Sequence, residues 1–165
     1  MAKANFTAQR LRELLHYDPE TGVFTRLVKT SIRINVGDRA GWINHGYRVI
    51  SISYSKFRAG RLAWLYMTGG WPTLFVDHIN GVRDDDRWTN LRVVDIAMNM
   101  QNMPHARKDS STGITGVSFD KERGKFYAYI NVNGRMKSLG RFTKLEDASS
   151  VAINARRKHH PGFTR

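Results

Sequence analysis

The 165-residue sequence contains no cysteine. This excludes disulfide bonds, thiol catalysis and the usual cysteine-ligated zinc sites. A metal ion would have to be bound through oxygen or imidazole ligands, which favours Mg²⁺ or Mn²⁺ over zinc. The sequence also lacks any apolar run near the roughly 20 residues that cross a bilayer, and its first residues lack the apolar core of a secretory signal. We therefore expect a cytoplasmic protein that does not enter the membrane.

Acidic residues are the second shortage. The chain has 14 Asp and Glu against 27 Lys and Arg, which gives a formal net charge of +13 and an isoelectric point of about 10.5. A charge of this size attracts polyanions and speeds their encounter with the protein. Nucleic acid is the first candidate partner, and an anionic membrane surface is the second. Hydrophobic residues make up 41% of the chain, which favours a packed core over disorder.

The first 103 residues alternate between short helical and strand-like patterns. Predicted helices lie at 6–17, 61–70 and 95–103, and predicted strands lie at 22–28, 47–54, 74–79 and 90–94. Thr7 and Asp95 are the predicted N-caps of the first and third helices. Asn80-Gly81 is the strongest short hairpin signal. A polar, turn-rich stretch at 104–112 then predicts a linker.

Beyond the linker the pattern changes to three strands and one helix. The strands are predicted at 116–120, 125–132 and 135–142, and the helix at 143–160, where Thr143 and Glu146 match a capping box. In the middle strand Phe126, Ala128, Ile130 and Val132 alternate with Lys125, Tyr127, Tyr129 and Asn131. The first set would face the helix, and the second would form an exposed face able to enter the major groove of DNA. An ordinary half-exposed sheet is the alternative interpretation.

Polar side chains concentrate between residues 77 and 102. Asp77 and His78 end a predicted strand, so their side chains point to opposite faces. Asn99 lies in the following helix, and we expect Asp77 and Asn99 to converge on one hard cation through oxygen atoms. His78 is then placed to activate a water molecule, and Asn90 to hold the loop or the imidazole. The aspartates at 84–86 are interpreted as a solvated turn.

The stretch "VDHINGVRDDDRWTNLRVVDIAMNMQNM", preceded by "RLAWLYMTG", resembles the HNH nucleases, in particular phage-type HNH homing endonucleases. The resemblance implies a ββα-metal nuclease fold. It also implies that His78 is the general base, that Asp77 and Asn99 bind one Mg²⁺ or Mn²⁺ ion, and that Asn90 orients the loop and the histidine.

Two positions depart from the family pattern. Gly60 stands where the family usually has histidine, and Asp86 stands where it usually has asparagine. The departures keep a second interpretation open, a non-catalytic, sequence-specific DNA-binding protein with a degenerate nuclease fold. RNA binding through the tyrosine-bearing sheet is a third interpretation, which would leave the Asp-His-Asn set without a role.

The stretch from Thr115 to Ala155 resembles the APETALA/ethylene-response-factor DNA-binding domain, a three-stranded sheet packed on one helix. In the third strand, strict alternation conflicts with a buried Leu139, and we expect a bulge at the Asn133-Gly134 turn to resolve the conflict. The DNA-facing positions implied by this resemblance are Arg123, Lys125, Tyr127, Tyr129, Asn131, Arg135, Lys137 and Arg141.

The sequence therefore predicts an α+β protein with a ββα-metal nuclease domain and a sheet-plus-helix DNA-binding domain. The predicted segments are 1–57, which supports the nuclease, 58–103, the nuclease core, 104–112, the linker, and 113–165, the DNA-binding domain. Four further arginines are predicted to contact DNA near the nuclease site: Arg61, Arg83, Arg87 and Arg92. The predicted activity is nicking of double-stranded DNA by a monomer in the cytoplasm, that of the host if the protein is phage-encoded.

Overall fold

The computed structural model describes residues 6–102, 106 and 109–164. It divides the chain into two units, Met1–Ile96 and Ala97–Arg165. The described residues form several small antiparallel sheets and short helices, which confirms the predicted mixture of α and β structure. Of the predicted linker, only 106 and 109–112 lie within the described residues. No helix in the described part of the chain is long and apolar enough to cross a membrane.

The first helix is shorter than predicted. Helix α1 spans Ala8–Leu14, and the Thr7 hydroxyl accepts a hydrogen bond from the Arg10 amide at 3.2 Å, as expected for its N-cap. The predicted continuation to residue 17 is wrong, because Leu15–Asp18 forms strand β1 and pairs with strand β2, Val23–Arg26. Leu15 and Tyr17 alternate with exposed His16, and this two-residue period suits a half-buried strand rather than a helix.

A three-stranded sheet and one helix extend the scaffold of the first unit. The sheet contains β3, Trp42–Asn44, β4, Tyr47–Ile52, and β5, Ser55–Arg58. Helix α2, Ala59–Thr68, follows directly and ends at Gly69, whose φ of 81° is the left-handed conformation that glycine adopts without strain. The largest fully buried side chains of this unit are Leu11, Leu15, Tyr17, Phe24, Ile50, Leu62 and Leu65.

Strands β6, Phe75–His78, and β7, Leu91–Val94, pair antiparallel, with His78 opposite Leu91 and Asp77 opposite Arg92. The Asn80-Gly81 signal does form a turn, since the Gly81 amide donates to the His78 carbonyl at 2.8 Å. A longer loop nevertheless separates the two strands, and it ends in a 3₁₀ turn at Trp88–Asn90. Asn90 therefore precedes the second strand rather than beginning it. Helix α3 follows at Ile96–Gln101.

The second unit contains the predicted meander. Strands β8, Val117–Asp120, β9, Lys125–Val132, and β10, Arg135–Phe142, form one antiparallel sheet. Helix α4, Leu145–His159, packs its buried Ala148 and Ala152 against Val117 and Ala128. The predicted capping box at Thr143 is wrong: the N-cap is Lys144, which makes no side-chain capping bond. The helix begins one residue later than predicted. Glu146 and Asp147 lie in its first turn, where a negative charge interacts favourably with the helix dipole.

The bulge in β10 lies at Leu139 and not at the predicted Asn133-Gly134 turn. Ser138 pairs with Tyr129 and Gly140 pairs with Ala128, so one residue is extra between them. This register places Arg141 opposite Tyr127. Arg141 therefore lies on the face of the sheet that carries Lys125, Tyr127, Tyr129 and Asn131, which we call the tyrosine face. Arg135 and Lys137 pair with Val132 and Ile130 and lie on the opposite face, because directly paired residues share a face. Arg135 and Lys137 thus lie on the other face of β10 from Arg141, and whether any of the three contacts DNA stays a prediction.

Candidate active site

His78 is buried at the end of β6. Its side chain is 8% exposed, and its Nε2 atom lies 3.0 Å from Oδ1 of Asp86, whose side chain is 2% exposed. The interpretation of residues 84–86 as a solvated turn is thus wrong for Asp86, although Asp84 is exposed. The loop between β6 and β7 folds the last of the three aspartates back onto the histidine that precedes it.

Asp86 is held from two sides. Its backbone carbonyl accepts a hydrogen bond from the buried Tyr17 hydroxyl at 2.6 Å. Burial raises the pKa of the Asp86 carboxyl, and the hydrogen bond to His78 acts in the opposite direction. Oδ2 of Asp86 is buried and has no hydrogen-bond partner within the described part of the chain. A carboxylate in this state interacts strongly with a nearby proton donor, because little water screens it.

The His78 imidazole lines a small cavity of about 50 Å³. Its walls come from strands β4, β5 and β6, from helix α2 and from the loop after β6: the residues that line it include Tyr47, Arg48, Arg58, Gly60, His78 and Asp86. Burial lowers the pKa of the Arg48 guanidinium. The cavity is therefore lined by both charged and apolar groups, since Ala59, Phe75 and Val76 also contribute to it, and its volume admits a molecule of the size of water.

Sequence reasoning missed Tyr47, Arg48 and Arg58 as neighbours of His78. Tyr47 and Arg48 begin β4, and Arg58 ends β5. The Arg58 guanidinium lies 4.0 Å from the centre of the Tyr47 ring, a cation–π contact. A tyrosine-arginine pair at the start of a largely apolar strand was the available signal, but only the tertiary fold shows that it lines the same cavity as His78.

The two departures from the family pattern lie side by side. A Cβ atom built on Gly60 would lie 3.1 Å from Oδ1 of Asp86 and 3.4 Å from Val76. The first distance is tighter than an ordinary van der Waals contact, so a side chain at residue 60 would require the Asp86 carboxylate to shift by a few tenths of an ångström. Gly60 and Asp86 are therefore structurally coupled, and both belong to the surroundings of His78.

Asn90 organises the loop that carries Asp86. Its Oδ1 accepts from the Asn80 amide at 2.9 Å, and its Nδ2 donates to the Asp85 carbonyl at 2.7 Å and to Asn80 Oδ1 at 3.1 Å. The side chain is buried, so these bonds are shielded from water. Of the two alternatives predicted for Asn90, these contacts correspond to holding the loop.

Asp77, a predicted metal ligand, is 11% exposed and forms an ion pair with Arg92. Its Oδ2 accepts from Nε and Nη2 of Arg92 at 3.0 and 2.9 Å. Asn99 lies in the second unit, and its pairing with Asp77 stays a prediction. Among the described residues, no group of three or more His, Asp or Glu side chains is placed to hold a metal ion. A carboxylate and an amide nevertheless offer the oxygen ligands that a hard cation prefers.

The four arginines predicted to contact DNA near this site all make contacts within the first unit. Arg61 donates to the carbonyls of Leu74 and Pro72, and Arg83 donates to the His45 carbonyl. Arg87 forms two hydrogen bonds with Asp85, at 2.7 and 2.6 Å, and Arg92 pairs with Asp77. These contacts fix the loops around His78, and whether the same arginines touch DNA stays a prediction.

The tyrosine face of the second unit carries Tyr127, Tyr129 and Arg141 side by side. The rings of Tyr127 and Tyr129 stack with centroids 5.8 Å apart, and the Arg141 guanidinium lies 5.1 Å from the Tyr127 ring centre. Lys125 and Asn131 are exposed. Arg123 forms an ion pair with Asp120 at 3.2 Å, beside the turn that precedes β9. The face thus combines aromatic rings with cations, a surface suited to nucleic acid.

Comparison with known proteins adds one finding to this geometry. Neither the curated proteins nor the solved structures provide a match to the chain. Residues 58–101 match the model of the HNH endonuclease family, and this segment contains β6, β7, His78 and the loop that holds Asp86. The match supports an HNH nuclease with a DNA-cleaving function in this part of the chain.

Proposed function

We propose that the chain is a metal-dependent DNA endonuclease of the homing type, which hydrolyses phosphodiester bonds and nicks one strand at a time as a monomer. The observation that carries the proposal is the placement of His78. His78 directly follows Asp77 in the segment that matches the HNH endonuclease family, and it lines a small cavity together with Asp86 and three arginines. An imidazole is the side chain best suited to take up a proton near neutral pH.

The substrate we propose is double-stranded DNA. The net charge of +13 attracts a polyanion, and the tyrosine face of the second unit offers stacked rings with cations beside them. An APETALA/ethylene-response-factor-like role for the second unit is part of this proposal. We expect binding to weaken steeply with salt, because each phosphate contact displaces condensed counterions.

Asp77 and Asn99 are the residues that would hold one Mg²⁺ or Mn²⁺ ion, since a carboxylate and an amide carbonyl supply suitable oxygen ligands. When bound, the ion supplies Lewis-acid stabilisation of the negative charge that develops on the phosphate. Arg92 already neutralises Asp77 through Oδ2. A cation bound by Asp77 would therefore compete with the Arg92 guanidinium for the same carboxylate.

His78 acts in this proposal as the general base. It takes a proton from a water molecule as the water oxygen attacks phosphorus, and the 3′ oxygen of the broken bond leaves. Asn90 keeps the loop rigid through three hydrogen bonds, so that the groups around the imidazole keep their positions between substrate binding and the chemical step. One general base acting on one phosphate cuts one strand, which makes a nick the expected product.

A non-catalytic DNA-binding protein is the second candidate function. The Arg92–Asp77 ion pair favours it, because a carboxylate neutralised by an arginine does not require a metal ion. In this case the loop around Asn90 and Asp86 would be a structural element, and the tyrosine face would carry the function.

Plasmid nicking separates the two candidates. The wild-type protein and His78→Ala are incubated with supercoiled plasmid and Mg²⁺ or Mn²⁺, and relaxed circles are quantified over time. The nuclease proposal expects metal-dependent nicking by the wild type and a loss of about 100-fold or more in the variant, as for removal of a general base. His16→Ala is the matched control, since His16 is an exposed histidine of the same unit, and it should nick as the wild type does. Gel shifts without cleavage by the wild type would instead support the binding protein.

A further inference from the structure

Gly60 and Asp86 are the two positions at which the chain departs from the family pattern, and the structure explains them together. The Asp86 carboxylate reaches the His78 imidazole through Oδ1, at 3.0 Å from Nε2. The same oxygen lies 3.1 Å from the position of a Cβ atom on Gly60. One carboxylate oxygen is thus the point at which residues 60, 78 and 86 meet.

The contact between Asp86 and His78 is buried and held in place by the fold, unlike a surface ion pair. Both side chains are buried, at 8% and 2% exposure, and a buried polar pair holds its geometry because no water competes for it. The Asp86 backbone is fixed by the Tyr17 hydroxyl, and the Asp85 carbonyl just before it is fixed by Asn90. Both anchors come from different parts of the first unit, so the carboxylate is positioned by the fold and not only by its own loop.

An ionised carboxylate can only accept hydrogen bonds, so Asp86 selects the form of the imidazole that carries a proton on Nε2. The lone pair of the neutral ring then resides on Nδ1. An asparagine at residue 86 makes no such selection, because its amide group both donates and accepts. The exchange of asparagine for aspartate therefore adds a preference for one tautomer and one ring orientation.

We propose that Asp86 is a positioning residue that holds the Nε2 atom of His78, and that Gly60 is its partner, because a Cβ atom at residue 60 would lie 3.1 Å from Oδ1 and would require the carboxylate to shift by a few tenths of an ångström. The catalytic consequence rests on the proposed nuclease function, whereas the contact itself does not.

The direct test measures which ring nitrogen of His78 carries the proton. In protein labelled with ¹⁵N-histidine, at about pH 8, where an ordinary imidazole is neutral, the ring nitrogens of His78 are assigned by their loss in His78→Ala. We expect the wild type to show a protonated Nε2 and a lone pair on Nδ1, and Asp86→Asn to shift both ring signals. Asp84→Asn removes the same charge from an exposed side chain two residues earlier and should leave them in place.

The catalytic test separates positioning from DNA binding. Asp86→Asn should lower the kcat of plasmid nicking by about 10- to 100-fold, the range for outer partners that orient a functional imidazole. Its KM for DNA should stay within about twofold, because the Asp86 side chain is only 2% exposed and is not accessible to a DNA surface. Asp84→Asn should retain both values.

A cycle of variants tests the role of Gly60. Gly60→Ala should disturb the His78 ring signals and lower kcat while Asp86 is present, and should add little in the Asp86→Ala background, where no carboxylate remains to be displaced. Gly70→Ala is the matched control, because a Cβ on Gly70 meets no atom within 4 Å. Should Asp86→Asn fail to fold, Gly60→Ala still tests the same contact.

Unchanged His78 ring signals in Asp86→Asn, or an equal effect of Gly60→Ala with and without the carboxylate, would overturn the proposal. A wild-type protein that shows no metal-dependent nicking would contradict the nuclease function alone. The ring signals would still decide whether Asp86 positions His78, so the two failures can be told apart.

Discussion

The two units place their polar side chains differently. In the first unit, His78, Asp86 and Asn90 are all buried and bonded within the fold. In the second unit, Lys125, Asn131 and Arg141 are exposed on a sheet whose other face packs on α4.

This difference follows from what each set of residues has to do. A group that moves a proton needs fixed neighbours and little competing water, so its polar partners are enclosed by the fold. A group that contacts a nucleic-acid backbone needs reach and exposure, and long-range attraction tolerates a looser arrangement. Substitutions in the first unit should therefore change stability and rate, whereas substitutions on the tyrosine face should change affinity and its salt dependence.

The largest effect expected from this comparison concerns Asn90. Asn90→Ala removes three buried hydrogen bonds and leaves the Asn80 amide and the Asp85 carbonyl without this partner. We expect the free energy of unfolding to fall by about 3 kcal/mol, since a buried group that loses its partner costs about 1–3 kcal/mol. Urea unfolding monitored by tryptophan fluorescence measures the change.

The control for this variant comes from the second unit. Asn154→Ala replaces an exposed asparagine on α4, and its free energy of unfolding should stay within about 0.5 kcal/mol of the wild type. If the free energy of unfolding falls equally little in both variants, the loop between β6 and β7 is not held by Asn90. The contrast between enclosed and exposed polar residues then fails for the first unit.

A smaller effect sharpens the assignment of the DNA-binding face. The register places Arg141 opposite Tyr127 but Lys137 opposite Ile130, so only Arg141 shares the tyrosine face. Arg141→Ala should weaken DNA binding by about five- to tenfold near physiological salt and reduce the slope of log K against log salt by about 0.9. Lys137→Ala, which removes the same charge from the other face, should change affinity by less than about twofold. Fluorescence anisotropy over a salt series measures both, and equal losses would show that the tyrosine face is not the binding surface.

Local patterns predicted most elements of the fold. The alternation along Lys125–Val132 identified the buried and exposed faces of β9, because a strand with one packed face has a two-residue period. The same period marked Leu15 and Tyr17, but the helical spacing of Leu11, Leu14 and Leu15 masked it and extended the predicted helix too far. Two periods overlapped there, and the pairing with β2 decided between them.

The surroundings of His78 could not be predicted in the same way. Asp77, His78 and Asn90 belong to one contiguous motif, so their proximity follows from a short stretch of chain. Tyr47 and Arg48 line the same cavity as His78 because of the tertiary fold, in which β4 contacts α2, and such long-range contacts leave no periodic mark in the sequence. The burial of Asp86 was also hidden, because three consecutive aspartates are typical of a solvated turn, and only the anchors at Tyr17 and Asn90 turn the last one inward.

The smallest expected effect concerns the ion pair of Arg87 and Asp85, which lies beside the buried side chains of the first unit but is itself partly exposed. The hydrogen bonds from Arg87, with a further one from Asn80, lower the pKa of the Asp85 carboxyl to about 2. Because this value lies below the ordinary aspartate pKa of about 3.9, the ionised pair stabilises the fold fully above about pH 4, and this contribution is lost as the pH falls through about 2.

Arg87→Gln should therefore be less stable than the wild type at pH 6, and the difference in the free energy of unfolding should shrink between about pH 4 and pH 2. Urea unfolding of both proteins at several pH values in this range measures it. The Arg87 side chain is half exposed, so the difference should be well below that of Asn90→Ala, and a difference that does not change with pH would show that Arg87 acts through packing and not through the Asp85 carboxylate.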